Sequence, residues 1–329
     1  MARRPARPKF ENGPMLAEAG TLPPDDEHWA YEMKWDGVRA LLDVTPSGVR
    51  ITSRLGNDVT GRYPELQPLG GALAPLRAVL DGEIVALDDS GRPSFGLLQN
   101  RMHADPRKAQ QFALSMPVVL MLFDVLELDG NDVTALPYTE RRALLERLHL
   151  AGANWQTPPV QVGGGRRVLD TAQRLGLEGI VAKRLDSPYV RGRRSAAWRK
   201  VKITAQQEFV VGGWIPGEGR LETTVGALVV GYYDGTGGPL RYAGRVGSGL
   251  DDATRDRYTA TLRARPTCPF EPPPPAAVRR VARWVEPELV VEVRFTMWTT
   301  DDVLRNPVYL GERDDKDPAE VVREPTPGV

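Results

Sequence analysis

The spacing of hydrophobic and polar positions changes along the chain, and the changes divide it. Trp29 to Met33, Val38 to Val44 and Val49 to Ser53 read as strands, separated by an Asp36-Gly37 turn and a Pro46-Ser47-Gly48 turn. Leu80 to Leu87 reads as two short strands broken at Asp81-Gly82, and Val118 to Leu126 as one strongly apolar strand. Helical spacing takes over from Thr139 to Leu150, with Thr139 placed to cap. It returns from Leu169 to Leu175, stopping at Gly176. Ile180 to Ala182 goes back to strand. Beyond Lys202 come short β runs, Glu208 to Trp214, Gly226 to Tyr233, Leu240 to Val246 and Leu289 to Phe295. Gly-rich turns, a Pro272 to Pro275 connection and one helical insert around Asp251 to Arg263 separate them, which predicts a small barrel. The pattern is that of an α+β protein: a mobile basic arm at 1–13, a mixed domain at 14–204 and a β-barrel domain at 205–329, with the boundary near Ile203 to Gln206.

A length of 329 residues suits two domains, and 41% hydrophobic with 26% charged residues is ordinary for a globular chain. No apolar run approaches the roughly 18 residues of a membrane span. The basic residues Arg3, Arg4, Arg7 and Lys9 are followed by no apolar segment, so they do not read as a secretory signal. The single cysteine, Cys268, excludes an internal disulfide and a cysteine-based zinc cluster, and a reducing cytoplasm is expected. The 43 basic and 43 acidic residues cancel, so net charge announces no partner. Their distribution is more informative. Lys183 to Lys202 holds eight basic residues against one acid, Asp186, a footprint suited to phosphates, whereas the stretch from Asp301 holds eight acids against four basic residues.

Only seven of the 43 basic residues are lysine, and five of those fall in four short segments. A chain so biased to arginine keeps lysine where arginine cannot serve. A desolvated lysine amine can lose its proton and become a nucleophile, whereas a guanidinium cannot. With two lysine-free segments between them, six run in order: Glu32-Met33-Lys34-Trp35-Asp36-Gly37-Val38-Arg39, Asp81-Gly82-Glu83, Leu122-Phe123-Asp124-Val125, Glu178-Gly179-Ile180-Val181-Ala182-Lys183, Trp198-Arg199-Lys200-Val201-Lys202 and Arg313-Asp314-Asp315-Lys316. Taken singly each is weak, since a lone Lys-x-Asp-Gly is a common surface turn. The ordered set resembles the nucleotidyltransferase superfamily of ATP-dependent DNA ligases, RNA ligases and mRNA-capping enzymes. It is most similar to the ligase domain of bacterial end-joining ligase D and its stand-alone relatives. Ser53-Arg54-Leu55-Gly56, Pro14-Met15-Leu16-Ala17, Leu98-Gln99-Asn100-Arg101 and Leu304-Arg305-Asn306-Pro307 extend the likeness from about Met15 to Arg323. No segment resembles the extra N-terminal domain of the large eukaryotic ligases, or a polymerase or nuclease domain.

The resemblance implies an adenylation domain of antiparallel sheets and helices followed by an OB-fold. It implies a DNA ligase that seals 5′-phosphate/3′-hydroxyl breaks in repair or end joining, using ATP and a covalent lysyl-AMP on Lys34. Lys200 and Lys202, two apart on a strand and so on one face, would grip the α-phosphate. A cationic neighbourhood and a divalent metal would lower the pKa of Lys34. Glu178 would support Mg²⁺ or Mn²⁺, and Glu83 would contact the ribose or a metal-bound water. Phe123 would stack on the purine, and Glu32 would accept from the adenine amino group. Arg39 and Arg54 would hold ribose and phosphate groups. Arg313 and Lys316 would orient the departing pyrophosphate. Lys183 is open between a phosphate contact and a surface role. The Gly247-Ser248-Gly249 segment, lacking a strand-to-helix context, reads as a barrel turn and not a phosphate loop. Expected partners are nicked or broken duplex DNA and a Ku-type end-binding protein, for a monomer in the cytoplasm at the nucleoid. An RNA ligase, a capping-type enzyme and a non-catalytic nick-binding OB module are the alternatives.

Overall fold

The computed structural model describes residues 13–324 apart from 103, 204 and 236, so the basic arm expected at 1–13 lies almost entirely outside the described residues. The chain separates into two compact units, the first ending at Ile203 and the second running from position 204.

Counting strands of four residues or more, the first unit contains β1 (Leu16–Ala19), β2 (Trp29–Lys34), β3 (Val38–Thr45), β4 (Gly48–Ser53), β5 (Ala78–Ala86), β6 (Val118–Leu128), β7 (Gly179–Arg184) and β8 (Arg194–Lys202). They form two sheets. One runs β1-β8-β7-β2 and ends on the short strand Gln161–Val162. The other runs β4-β3-β5-β6 and is extended by two short strands on β6. All pairings among β2 to β8 are antiparallel, but β1 lies parallel to β8. The second sheet buries Leu42, Ile51, Leu80, Ile84, Leu120 and Leu122 completely, with Leu69 and Leu98 packed on them. This is the interior that the alternating runs predicted.

Three elements depart from the sequence expectation. Leu80 to Leu87 is one continuous strand, β5, and the Asp81-Gly82 break survives only as a shift of register against β6. The helix expected at Thr139–Leu150 is Tyr138–Arg147 with Pro137 at its N-cap, and Thr139 instead donates its backbone N–H to Leu185 O at 3.1 Å. The helix expected from Leu169 begins earlier, at Gly165, because the Asp26 carboxylate accepts the N–H groups of Gly164 and Gly165. The Tyr31 hydroxyl also donates to Asp26, at 2.6 Å, which ties this helix to β2.

In the second unit β9 (Gln206–Pro216), β10 (Val225–Tyr233), β11 (Leu240–Val246), β12 (Val290–Arg294) and β13 (Val308–Glu312) form one antiparallel sheet in the order β11-β10-β9-β12-β13. Register shifts within β9, β10 and β12 curl it around Phe209, Val211, Leu228, Val230, Val291 and Val293. The helix Asp252–Thr261, capped by the Asp251 carboxylate, buries Tyr258 against this interior. This is the half-barrel of an OB-fold. No helix among the described residues is long and apolar enough to cross a membrane.

Candidate active site

Strand register brings the sequence motifs together. Gly179 at the start of β7 pairs with Lys34 on β2 and with Lys202 on β8, so the two lysines flank it across three strands. One step along, Val181 lies between Glu32 and Lys200; a further step places Lys183 between Ala30 and Trp198. Because strand residues alternate faces, Lys34, Glu32, Lys183, Lys200 and Lys202 all belong to one face of the sheet. Gly179 has to be glycine here, since a Cβ at this position would collide with Val201 O.

Glu178, the residue before this row, binds both lysines. Its carboxylate accepts from Lys34 Nζ and lies 3.1 Å from Lys202 Nζ. Lys34 is 23% exposed against 2% for Glu178, so the pair is closed beneath and open above. Burial works to raise the Glu178 pKa, but the Lys34 and Lys202 ammonium groups outweigh it and hold the carboxyl at about 2. For Lys34 the balance goes against the sequence expectation. Burial and Lys202 push its pKa down, but the Glu178 carboxylate wins and holds it above the ordinary lysine value. In this state Lys34 is a protonated, paired ammonium and not a free nucleophile.

Beside it lies a second cluster that the sequence only partly revealed. The Glu32 carboxylate accepts from Tyr138 Oη at 2.5 Å and from Lys183 Nζ at 2.8–2.9 Å, with Arg142 3.9 Å away. The expected adenine acceptor is therefore already engaged by protein donors, because a buried carboxylate must find them. Lys183 is not a surface residue. It is 1% exposed, donates to Phe123 O at 3.1 Å, and lies 4.3 Å from the Trp198 ring centroid and 4.5 Å from that of Phe123. Burial lowers its pKa despite the Glu32 carboxylate.

Phe123 is half-buried, edge-on to Trp198 with ring centroids 6.3 Å apart, and the Arg39 guanidinium lies 4.6 Å from its centroid. Arg39 is held in turn by Asp81, which accepts from Nε at 2.6 Å and from Nη2 at 2.7 Å, and Asp81 also accepts from Tyr189 Oη at 2.5 Å. Glu83 is half-buried on β5, directly opposite Arg39. Arg54 lies in the turn after β4, in the other sheet from Lys34. Asp81, Tyr138, Tyr189 and Trp198 were missed as site residues. Asp81 and Trp198 stand inside quoted motifs and Tyr189 in the basic stretch from Lys183 to Lys202, whereas Tyr138 stands in none of them.

In the second unit Arg313 is tied to carboxylates of its own unit. It is 7% exposed and its nitrogens are engaged within the unit: Nε and Nη2 by Asp315 at 2.8 and 3.0 Å, and Nη1 by Glu292 at 2.6 Å. Burial works against its charge, but these two carboxylates hold its pKa well above the ordinary value. A guanidinium satisfied in this way is part of the barrel's interior. Lys316 is nearer the surface, 2.8 Å from Glu208 Oε1.

Among the described residues no group of three or more His, Cys, Asp or Glu side chains could hold a metal ion. Glu178 is the carboxylate held between Lys34 and Lys202, and one hard carboxylate fits Mg²⁺ or Mn²⁺, which take their remaining ligands from phosphate and water.

Comparison with known proteins agrees with this geometry. Residues 14–202 match the model for the ATP dependent DNA ligase domain, and residues 222–316 the model for the ATP dependent DNA ligase C terminal region. The chain is 41% identical over 322 residues to the multifunctional non-homologous end joining protein LigD of Mycolicibacterium smegmatis, covering 97% of this chain and 40% of that protein. It is 31% identical over 334 residues to a DNA ligase of Thermococcus fumicolans, covering 96% of this chain and 57% of that one. It thus spans less than two thirds of the length of these relatives. A solved mycobacterial DNA ligase D complexed with ATP and MES superposes with a TM-score of 0.70 at 39% identity, over 96% of this chain and 100% of that one. The ligase domain from M. tuberculosis LigD superposes with a TM-score of 0.55, also at 39% identity and with the same coverage. The chain belongs to the ATP-dependent DNA ligase family.

Proposed function

We propose that this chain seals 5′-phosphate/3′-hydroxyl breaks in duplex DNA with ATP, through a covalent AMP on Lys34. The observation that carries the reading is the row Lys34–Gly179–Lys202 with Glu178 between the two ammonium groups. It puts one nucleophile, one anion-binding lysine and one carboxylate at a single point on the sheet. Lys34 Nζ attacks the α-phosphorus of ATP, the bond to the pyrophosphate oxygen breaks, and a phosphoramidate forms. The 5′-phosphate of the break then displaces Lys34 from the AMP, and the 3′-hydroxyl displaces AMP to close the strand.

Attack requires a neutral amine. Once Glu178 is drawn off Lys34, burial and Lys202 lower the pKa of the amine against the Asp36 carboxylate alone, and the proton leaves to solvent. Glu178 is the residue that would hold Mg²⁺ or Mn²⁺, with Glu83 as a second carboxylate, and the ion would supply neutralisation of phosphate charge there. Lys202 and Lys200 bind the α-phosphate oxygens, and in-line placement does most of the remaining work. Phe123 offers a ring to the base, backed by Lys183 and Arg39.

The end-joining names of the relatives support break repair, with nicked or broken duplex as substrate; a Ku-type partner rests on the sequence resemblance. The test of the core reading is incubation with α-labelled ATP or GTP followed by denaturing electrophoresis. Label from ATP should stay on the wild-type chain and be lost in Lys34→Arg, which keeps the charge but not the nucleophile. Label retained by Lys34→Arg would refute the assignment, and label from GTP would favour a capping-type enzyme.

A further inference from the structure

Tyr138 and Glu32, 106 residues apart in sequence, meet at one oxygen. The Tyr138 hydroxyl donates to Glu32 Oε1 at 2.5 Å, and Lys183 Nζ donates to the same oxygen at 2.9 Å. Arg142 Nη1 stands on that side too, 3.9 Å from Oε1. Among the described residues Oε2 is met only by Lys183, at 2.8 Å. An ionised carboxyl offers about two acceptor positions on each oxygen. Oε1 thus has both engaged by protein donors, whereas Oε2 keeps one open.

The hydroxyl is held in place from behind. Tyr138 opens the helix Tyr138–Arg147, and Arg141 on the same turn is completely buried. Arg141 bonds the Asp124 carboxylate at 2.8 and 3.0 Å and donates to Leu136 O at 2.6 Å and Ser187 O at 2.9 Å, which anchors the start of the helix. Burial and the Glu32 charge push the Tyr138 pKa well above its ordinary value, so the phenol stays a donor. Glu32 therefore has one orientation and one vacant acceptor position. That distinguishes purines. Adenine carries an amino donor at its 6 position, whereas guanine carries a carbonyl acceptor there. A fixed carboxylate lone pair repels the carbonyl. A carboxylate free to turn reaches the neighbouring N1–H of guanine instead.

We infer that Tyr138 is a positioning residue for the choice of base: it occupies Glu32 Oε1 and leaves Oε2 to accept from the exocyclic amino group of adenine. The inference rests on the ligase reading, which brings ATP to Lys34, two residues from Glu32 on the same strand. Tyr138 itself touches no nucleotide in this account. It acts through Glu32, from a helix outside every quoted motif.

The test compares the full wild-type chain with Tyr138→Phe, which keeps the ring that lies 5.1 Å from Lys183 Nζ and 5.9 Å from the Arg141 guanidinium. Each is incubated below saturation with α-labelled ATP, GTP or purine riboside triphosphate, which lacks the 6-amino group. Tyr138→Phe should slow labelling by ATP about tenfold, as loss of a hydrogen bond to a charged group does, and change labelling by the amino-free nucleotide less than about twofold. The preference for ATP over GTP should shrink by about the same factor of ten. The amino-free nucleotide also reports the folded fraction in the same preparation. Equal loss with ATP and the amino-free nucleotide would make Tyr138 a packing residue only and overturn the inference. So would unchanged labelling by ATP, or a wild-type chain that uses the two nucleotides equally well. No label from any of the three in wild type would defeat the ligase reading, and the inference with it.

Discussion

The Lys34 cluster and the Arg313 cluster are built from the same materials in opposite proportions. In the first unit one carboxylate, Glu178, faces two ammonium groups. In the second, one guanidinium, Arg313, faces two carboxylates, Asp315 and Glu292. The Arg313 cluster is closed: its three side chains are 8%, 1% and 3% exposed, and planar fork geometry satisfies the guanidinium. The Lys34 cluster is open: Lys34 is 23% exposed above a Glu178 that is 2% exposed, and two ammonium groups face that one carboxylate. The first has a side turned to solvent. The second is an internal brace, although its sequence, Arg-Asp-Asp-Lys, looked like the part of the chain meant to reach a ligand.

The largest effect should come from breaking the brace. Arg313→Ala leaves Asp315 and Glu292 buried without their cation, which costs about 3–5 kcal/mol for a buried pair. Chemical denaturation followed through Trp298 or Trp214 fluorescence should show the second unit unfolding early. A Tm and midpoint within error of wild type would mean that Arg313 is not a brace. Glu178→Ala comes next, as a loss of rate and not of fold. Self-adenylylation should fall by on the order of 10² or more, as when a preorganised charge is removed. Wild-type rates at limiting Mg²⁺ would exclude its assigned role.

The same comparison gives a pH test. Glu178 raises the Lys34 pKa, so in metal-free protein an amine-acylating reagent should modify Lys34 only at a pH above that of an ordinary lysine. Glu178→Gln removes the larger raising charge and leaves burial and Lys202 opposed only by Asp36, so modification should begin at lower pH. A shift in the opposite direction would overturn the account of the pair. For stability the signs run in two windows. The depressed Glu178 carboxyl contributes stability above its unfolded pKa, and that contribution is lost as pH falls towards about 2. The raised Lys34 contributes fully below its unfolded pKa and loses that contribution as pH rises through the still higher folded value.

Much of this was legible in the sequence because it depends on local pattern. Alternation in Val38 to Val44 and Val49 to Ser53 gave the strands, and the two-residue spacing of Lys200 and Lys202 gave their common face. What could not be read was which charged groups would be consumed by one another. Arg39 with Asp81, Glu32 with Lys183, and Arg313 with Glu292 are 42, 151 and 21 residues apart, and each pairing exists only once strands lie side by side. The helix Pro106–Ser115 was missed for a different reason. Its start signal, Asp105 before Pro106, was present, and Asp105 does accept from the Arg107 and Lys108 N–H groups. Its apolar positions are too few to announce a buried face.

The smallest expected effect separates the two residues that the sequence treated as one motif. Lys316 lies 2.8 Å from Glu208, with the two side chains 19% and 16% exposed, so less charge is stranded out of water by its loss than in the closed Arg313 cluster. Lys316→Ala should therefore leave the second unit folded, with a Tm within a few degrees of wild type, where Arg313→Ala does not. That makes it the clean probe of the pyrophosphate role expected for this motif. An interaction made only while pyrophosphate departs affects only that step. Lys316→Ala should slow ATP-dependent labelling of Lys34 and leave sealing of a nick that already carries 5′-AMP near the wild-type rate. Measuring both steps on the one variant decides between the roles. Equal loss in both would make Lys316 a general structural contact like its neighbour, and would erase the contrast between a brace at Arg313 and a working cation three residues later.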